Sequence, residues 1–215
     1  MDIAKYIDHT NLKSTATVGD IERLCEEARK YGFYSVCVNP YYVSLCKRLL
    51  SGTDVKVCTV IGFPLGATTT STKVFETEET LKMGCDEFDM VINVGMLKSG
   101  KDDHVMQDIR QVVEAAKDRT VKVIIETGLL TDEEKMRACR LASQAGAHFV
   151  KTCTGMTQGK ALVEDIDIMK KNIVPGVKIK ASGGIRTYED AIKLIEAGSD
   201  RIGTSSGVEI VNNGR

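Results

Sequence analysis

The sequence predicts an α/β fold of the single (β/α)8 barrel type, the TIM barrel, and three observations carry that expectation. Apolar runs rich in β-branched residues alternate with helix-period patterns along the whole chain. Four helical patterns end at a glycine that leads straight into an apolar run: Gly32, Gly84, Gly146 and Gly198. These glycines lie 52, 62 and 52 residues apart, room for two β/α units each time, so four double units give eight strands. An open doubly wound sheet is the structural alternative. At 215 residues the chain suits one barrel, which takes roughly 200–250 residues, and with only 3 prolines and no Ser/Gly-rich linker residues 1–215 read as one domain.

The strands are expected around Tyr6–His9 and at Ser35–Val38, Val55–Ile61, Glu87–Ile92, Val121–Ile125, His148–Lys151, Val177–Lys180 and Arg201–Gly203. Between them run amphipathic helices, the first with a stripe of Ile21, Leu24, Cys25, Ala28 and Tyr31. Thr17–Asp20, Thr131–Glu134 and Thr187–Asp190 read as capping boxes at helix starts. Residues 61–72 read either as a plain Gly/Pro βα loop with a hydroxyl-rich helix cap or, from their position on the catalytic face, as a segment that covers a substrate. The last helix, Val208–Asn213, is short and polar-ended.

The glycine repeat also sets register. The fifth residue after each glycine is Cys37, Asp89, Lys151 or Gly203, on strands two, four, six and eight. Alternate strands of such a barrel share interior layers, so these four positions are expected to face the axis together. Lys151 and Lys180 end consecutive apolar strands at the face where barrel active sites lie. Asp89, between Phe88 and Met90, needs a cationic or hydrogen-bonding partner if it points inward.

Two lysines and an acid suit Schiff-base chemistry. At pH 7 only about one free lysine in 2,500 is an unprotonated nucleophile. A second ammonium within ~4–6 Å, together with burial, disfavours the charged form and activates the amine. Asp89 can then relay protons to the carbinolamine and enamine. On these residues alone the attacking lysine stays open between Lys151 and Lys180.

Ala181-Ser-Gly-Gly-Ile-Arg186 and Gly203-Thr-Ser-Ser-Gly207 follow the seventh and eighth strands, where barrels often seat phosphate. Gly183 and Gly184 are expected to offer backbone N–H groups, and Ser205 and Ser206 hydroxyls. Cys37 reads as a small pocket-lining residue first and a reactive thiol second. The three histidines, His9, His104 and His148, form no metal-ligand cluster, so no metal and no cofactor are expected. His148 is expected to pack or to face the helices, His104 to be solvated, and His9 either to line the mouth of the first strand or to join a local network with Asp8 and Thr10.

Composition narrows the partners. Lys plus Arg (29) nearly cancels Asp plus Glu (30) with no basic stripe, which argues against nucleic acid. No segment reads as a signal peptide or membrane span. Seven scattered cysteines without a C-x-x-C pair suit free thiols in a reducing compartment, hence the cytoplasm.

Nearly the whole chain resembles the deoxyribose-phosphate aldolase family. The resemblance lies in Ile7-Asp-His-Thr10, Val36-Cys-Val-Asn-Pro40, Thr59-Val-Ile-Gly-Phe-Pro-Leu-Gly-Ala67, Asp89-Met-Val-Ile-Asn93 and Lys122-Val-Ile-Ile-Glu126. It continues in Phe149-Val-Lys-Thr-Cys-Thr-Gly155, Lys180-Ala-Ser-Gly-Gly-Ile-Arg186 and Gly203-Thr-Ser-Ser206. The resemblance implies a class I aldolase of deoxyribose catabolism. Such an enzyme interconverts 2-deoxy-D-ribose 5-phosphate with D-glyceraldehyde 3-phosphate and acetaldehyde, small phosphosugar and aldehyde substrates. It implies Lys151 as the Schiff-base nucleophile, Asp89 and Lys180 as the proton-relay pair, Thr152 among the substrate-binding residues, and a homo-oligomer (dimer or tetramer). Two positions depart from the family pattern: Cys153, where relatives usually carry Ser, and Leu12-Lys-Ser-Thr, which lacks a proline. A Schiff-base aldolase of another substrate and a non-catalytic phosphosugar-binding barrel are the competing readings.

Overall fold

Eight short parallel strands close on themselves in chain order, each followed by helical structure, in a computed structural model that describes residues 1–157 and 159–214. The strands are β1 (Ile7–Asn11), β2 (Ser35–Val38), β3 (Lys56–Ile61), β4 (Glu87–Val91), β5 (Thr120–Ile124), β6 (Phe149–Lys151), β7 (Lys178–Ser182) and β8 (Arg201–Thr204). The helices are α1 (Val18–Tyr31), α2 (Val43–Leu49), α3 (Thr70–Lys82), α4 (Val94–Lys98), α5 (Asp102–Ala116), α6 (Asp132–Gln144), α7 (Val163–Asn172), α8 (Tyr188–Ala197) and α9 (Gly207–Asn213). Pairing of Asp8 with Gly203 and of His9 with Thr204 completes the closure between β1 and β8. The barrel is therefore the expected one, with strand ends shifted by a residue or two.

The turns out of the helices follow from glycine. Gly32, Gly84, Gly146 and Gly198 have φ of 67°, 95°, 91° and 125°, conformations that side chains with a Cβ resist. The boxes at Thr17 and Thr131 are complete, each hydroxyl accepting from the third residue's N–H and each acid returning the bond. Thr187 differs from expectation: it caps α8 by accepting from Asp190 N, and among the described residues only that half of the box forms. The short α4, unread in the sequence, is started by Asn93, which accepts from Met96 N at 3.1 Å.

Strand alternation sorts the side chains into two environments. Val36, Val38, Val57, Phe88, Met90, Val121, Val123, Val150, Ile179 and Ile202 face the helices and join one apolar core with residues such as Ile21, Ile109, Val112 and Ile166. Inside the barrel a small apolar cluster gathers Leu12, Cys37, Cys58 and Val60, with Phe63 against them. Val91, Ile124 and Phe149 alternate onto the same inner face as Asp89, Lys122 and Lys151, and charged side chains take up much of the space where barrels of this type usually stack branched aliphatic residues.

The loop after β3 follows the plainer of its two readings. Its Gly62 N–H donates to Glu76 of α3 at 2.7 Å, and a Cβ on Gly66 would lie 1.9 Å from Ile92 O. Lys73 of α3, fully buried, bonds Asp108 at 2.5 Å and Val91 O at 2.9 Å. The loop is thus packed down against the end of β4, and its residues do not line the cavity described next.

Candidate active site

A cavity of about 510 Å³ opens at the carboxyl ends of the strands. Lys151 lines its floor, at the last residue of β6. Its Nζ lies 2.8 Å from Asp89 Oδ2, and Lys180 Nζ lies 2.7 Å from the same oxygen. The two amines are therefore closer than the sum of those distances, inside the ~6 Å range over which like charges interact strongly. Lys180 is fully buried and is not among the cavity-lining residues, whereas Lys151 is. Of the two amines, that of Lys151 is placed at the cavity and that of Lys180 is buried away from its lining.

Sequence reading missed much of what surrounds Asp89. Lys122 Nζ bonds Asp89 Oδ1 at 2.9 Å and Glu87 at 2.6 Å. Asp8 meets Lys180 at 2.5 Å, and Arg201 meets Asp8 at 2.8 Å and Glu87 at 3.2 Å. Three carboxyl groups (Asp8, Glu87, Asp89) thus interleave with three cations (Lys122, Lys180, Arg201), and the charge count closes without Lys151. Burial alone pushes the Asp89 and Asp8 carboxyls up, but the adjoining cations outweigh it and hold both well below the usual range. Burial likewise works against the charged forms of Lys122 and Lys180, and is outweighed by Asp89 and Asp8, so both ammonium groups are held above the ordinary lysine range. The signal in the sequence was there: Lys122 is flanked by Val121 and Val123, which face the helices, so Lys122 must face the axis.

The axial prediction holds in its essentials. Asp89 and Lys151 touch, and Gly203 sits where a Cβ would be 3.0 Å from Lys180 Cε. Cys37 is inside the barrel but not on the cavity wall; it is buried among Leu12, Cys58 and Val60, which corrects its expected pocket-lining role. Thr152 is corrected as well. Its buried hydroxyl donates to Ser182 O at 2.8 Å and accepts from Ser182 N at 2.9 Å, so it ties β6 to β7 and does not line the cavity.

Gly183 and Gly184, with φ of 106° and 74°, line the cavity beside Ser205. With no Cβ at either position, a ligand can come close to the backbone there. Ser206 precedes α9, is half-buried and is not on the wall; its N–H donates to Thr204 Oγ1 at 2.9 Å. His9 lines the cavity and bonds Glu27 at 2.7 Å, the first of the two roles open to it. His104 is exposed as expected; His148 is exposed too and so does not pack in the core, its Nδ1 accepting from Val121 N at the start of β5. Among the described residues one set of possible metal ligands gathers, Cys37, Cys58 and Asp89, within 4.8 Å. Lysine ammonium groups already occupy both Asp89 oxygens and oppose a cation there. No helix among the described residues is long and apolar enough to cross a membrane.

Comparison with known proteins points the same way. The sequence profile described as DeoC/LacD family aldolase matches residues 3–213. A deoxyribose-phosphate aldolase of Thermococcus gammatolerans is 60% identical over 219 residues, covering 100% of this chain and 97% of the relative. One of Bacillus cytotoxicus is 60% identical over 214 residues, covering 99% and 96%. Among solved structures, the tetrameric deoxyribose phosphate aldolase of Aeropyrum pernix superposes with a TM-score of 0.91 at 35% identity, covering 98% of this chain and 89% of that one.

Proposed function

This chain belongs to the DeoC/LacD family of aldolases, and we propose that it reversibly cleaves 2-deoxy-D-ribose 5-phosphate to D-glyceraldehyde 3-phosphate and acetaldehyde through an imine on Lys151. The observation that carries this reading is the placement of Lys151: it is the lysine on the cavity floor, hydrogen-bonded to a carboxylate that a second, buried lysine shares.

In the cleavage direction the neutral Lys151 Nζ adds to the C1 aldehyde of the open-chain sugar. Loss of water from the carbinolamine leaves a protonated imine, an electron sink for the next step. A base removes the proton of the C3 hydroxyl, the C2–C3 bond breaks, and its electron pair moves toward the imine nitrogen. Glyceraldehyde 3-phosphate departs and an enamine remains. Protonation at its terminal carbon and hydrolysis release acetaldehyde and restore the lysine. Asp89 and Lys180 are suited to carry these protons because they share one oxygen–nitrogen contact within reach of Lys151 Nζ. The phosphate fits the N–H groups around Gly183 and Gly184 with help from Ser205, and Ser206 is a candidate for a contact made only when substrate is bound. The seven buried free thiols favour a reducing cytoplasm, and the tetrameric relative favours a homo-oligomer.

Borohydride reduction in the presence of deoxyribose 5-phosphate, followed by peptide mapping, tests the assignment. A reduced adduct is expected on Lys151 and none in Lys151→Ala. An adduct on Lys180 instead would exchange the two roles. Binding without any adduct would sink the imine mechanism.

A further inference from the structure

Directly after β5 the chain passes through Glu126 with φ 58° and ψ 62°. Residues with a Cβ seldom adopt this left-handed conformation, and Glu has no local hydrogen-bonding habit that favours it. The side chain is only 1% exposed, and among the described residues no Lys or Arg lies within ion-pair distance of it. A buried acid on a strained backbone persists only if its contacts over-determine it.

The hydrogen bonds of its carboxyl group all go to one segment. Both Glu126 carboxyl oxygens accept from Thr154 N, at 3.3 and 3.2 Å, and Oε1 also accepts from Thr157 Oγ1 at 3.1 Å. The neighbouring Thr127 adds to the grip: its N–H donates to Thr152 O at 3.0 Å, and its hydroxyl lies 3.3 Å from Cys153 Sγ. Residues 152–157 follow Lys151 without a break, and Thr154, Gly155 and Met156 form the cavity wall between Lys151 and the Gly183–Gly184 turn.

We propose that Glu126 is a positioning residue for the aldol chemistry, clamping residues 154–157 so that Lys151 and the adjoining cavity wall hold one geometry. This rests on the aldolase reading above and adds a residue to it. Small displacements of a nucleophile are expensive in rate, because the attack demands near-contact alignment. Glu126 touches no reacting atom; it acts through the segment it holds.

Two substitutions separate this role from simple stabilisation. Glu126→Gly removes the side chain and relieves the left-handed backbone at once. Glu126→Gln keeps an oxygen that can accept from Thr154 N. For the full chain, kcat and KM for deoxyribose 5-phosphate cleavage are measured well below the melting temperature. The rate of borohydride trapping on Lys151 with acetaldehyde alone is measured beside them. The expected result is a kcat at least tenfold lower and slower trapping in Glu126→Gly, with most of both restored in Glu126→Gln. Unchanged kcat and trapping in a folded Glu126→Gly, or a Gln variant as impaired as the Gly variant, would overturn the proposal. If Glu126→Gly does not fold, Thr157→Val is read in its place: a two- to threefold lower kcat is expected, and an unchanged one overturns the clamp. Wild-type protein without cleavage or adduct would sink the aldolase reading and this inference with it. An active wild type with unaffected variants sinks this inference alone.

Discussion

Asp89 accepts from three lysines at once, and the positions of those amines depend on the small residues opposite them. Gly203 is the clearest case. A Cβ there would stand 3.0 Å from Lys180 Cε and 3.1 Å from the Ser182 side chain, and the backbone at Gly203 has no positive φ that demands glycine. Its lack of a side chain therefore serves the lysine and not the chain path. Gly203→Ala is expected to fold, with roughly 1–3 kcal/mol of overpacking cost, and to displace Lys180 from Asp89. The measurable outcome is a kcat that falls by an order of magnitude or more while KM changes little. A variant with wild-type kcat would show that Lys180 has room to spare and that its contact with Asp89 is not tightly set.

At the scale of elements, caps and registers separate what supports the site from what supports the fold. The Thr17–Asp20 box starts α1 at the protein surface, with the hydroxyl accepting from Asp20 N at 3.2 Å. Thr17→Ala is expected to cost about 1 kcal/mol of stability and to leave kcat unchanged. A melting temperature equal to wild type would mean the cap contributes nothing in the intact barrel. Much of the element pattern was legible in the sequence, because glycine stops and Thr starts are local signals, and counting five residues from a glycine placed Asp89 and Lys151 on one side of their strands. What local signals could not supply was the identity of the remaining interior charges. Asp8 and Arg201 are joined across 193 positions, a pairing that neither strand carries by itself. Cys37 failed as a cavity residue for a related reason. Facing the axis and reaching the cavity differ by depth along the strand, and depth follows from the stagger of neighbouring strands, which no single strand encodes.

The whole molecule encloses a polar lattice inside a shell of apolar packing, and its stability should vary with pH accordingly. Asp8 and Asp89 are held below their ordinary range when folded. The unfolded chain then binds their protons first as pH falls, so their contribution is intact above about pH 5 and is lost progressively below about pH 4. Lys122 and Lys180 are held above theirs, so their contribution is intact below about pH 10 and declines only as pH rises through the folded values. Thermal unfolding followed from pH 2.5 to 10 should show a plateau with a steep acid edge. A melting temperature that stays flat from pH 7 down to pH 3 would contradict the ion pairing seen at the barrel centre.

The charged interior also sets where this protein is open to improvement. Replacing buried ion pairs by apolar residues of matching volume often leaves a protein as stable or makes it more so. Asp8, Glu87, Asp89, Lys122, Lys180 and Arg201 occupy the volume where such repacking would ordinarily be tried. Here those atoms include the ones proposed to move protons, so a core redesign that raised the melting temperature would erase turnover. Engineering for robustness is confined to the outer layer, where the helices meet the strands and where caps and surface loops can be changed without touching the chemistry. The axis of the barrel is in effect reserved, and a directed-evolution campaign selecting jointly for heat resistance and aldol cleavage should collect its substitutions in the helical shell and leave the centre untouched.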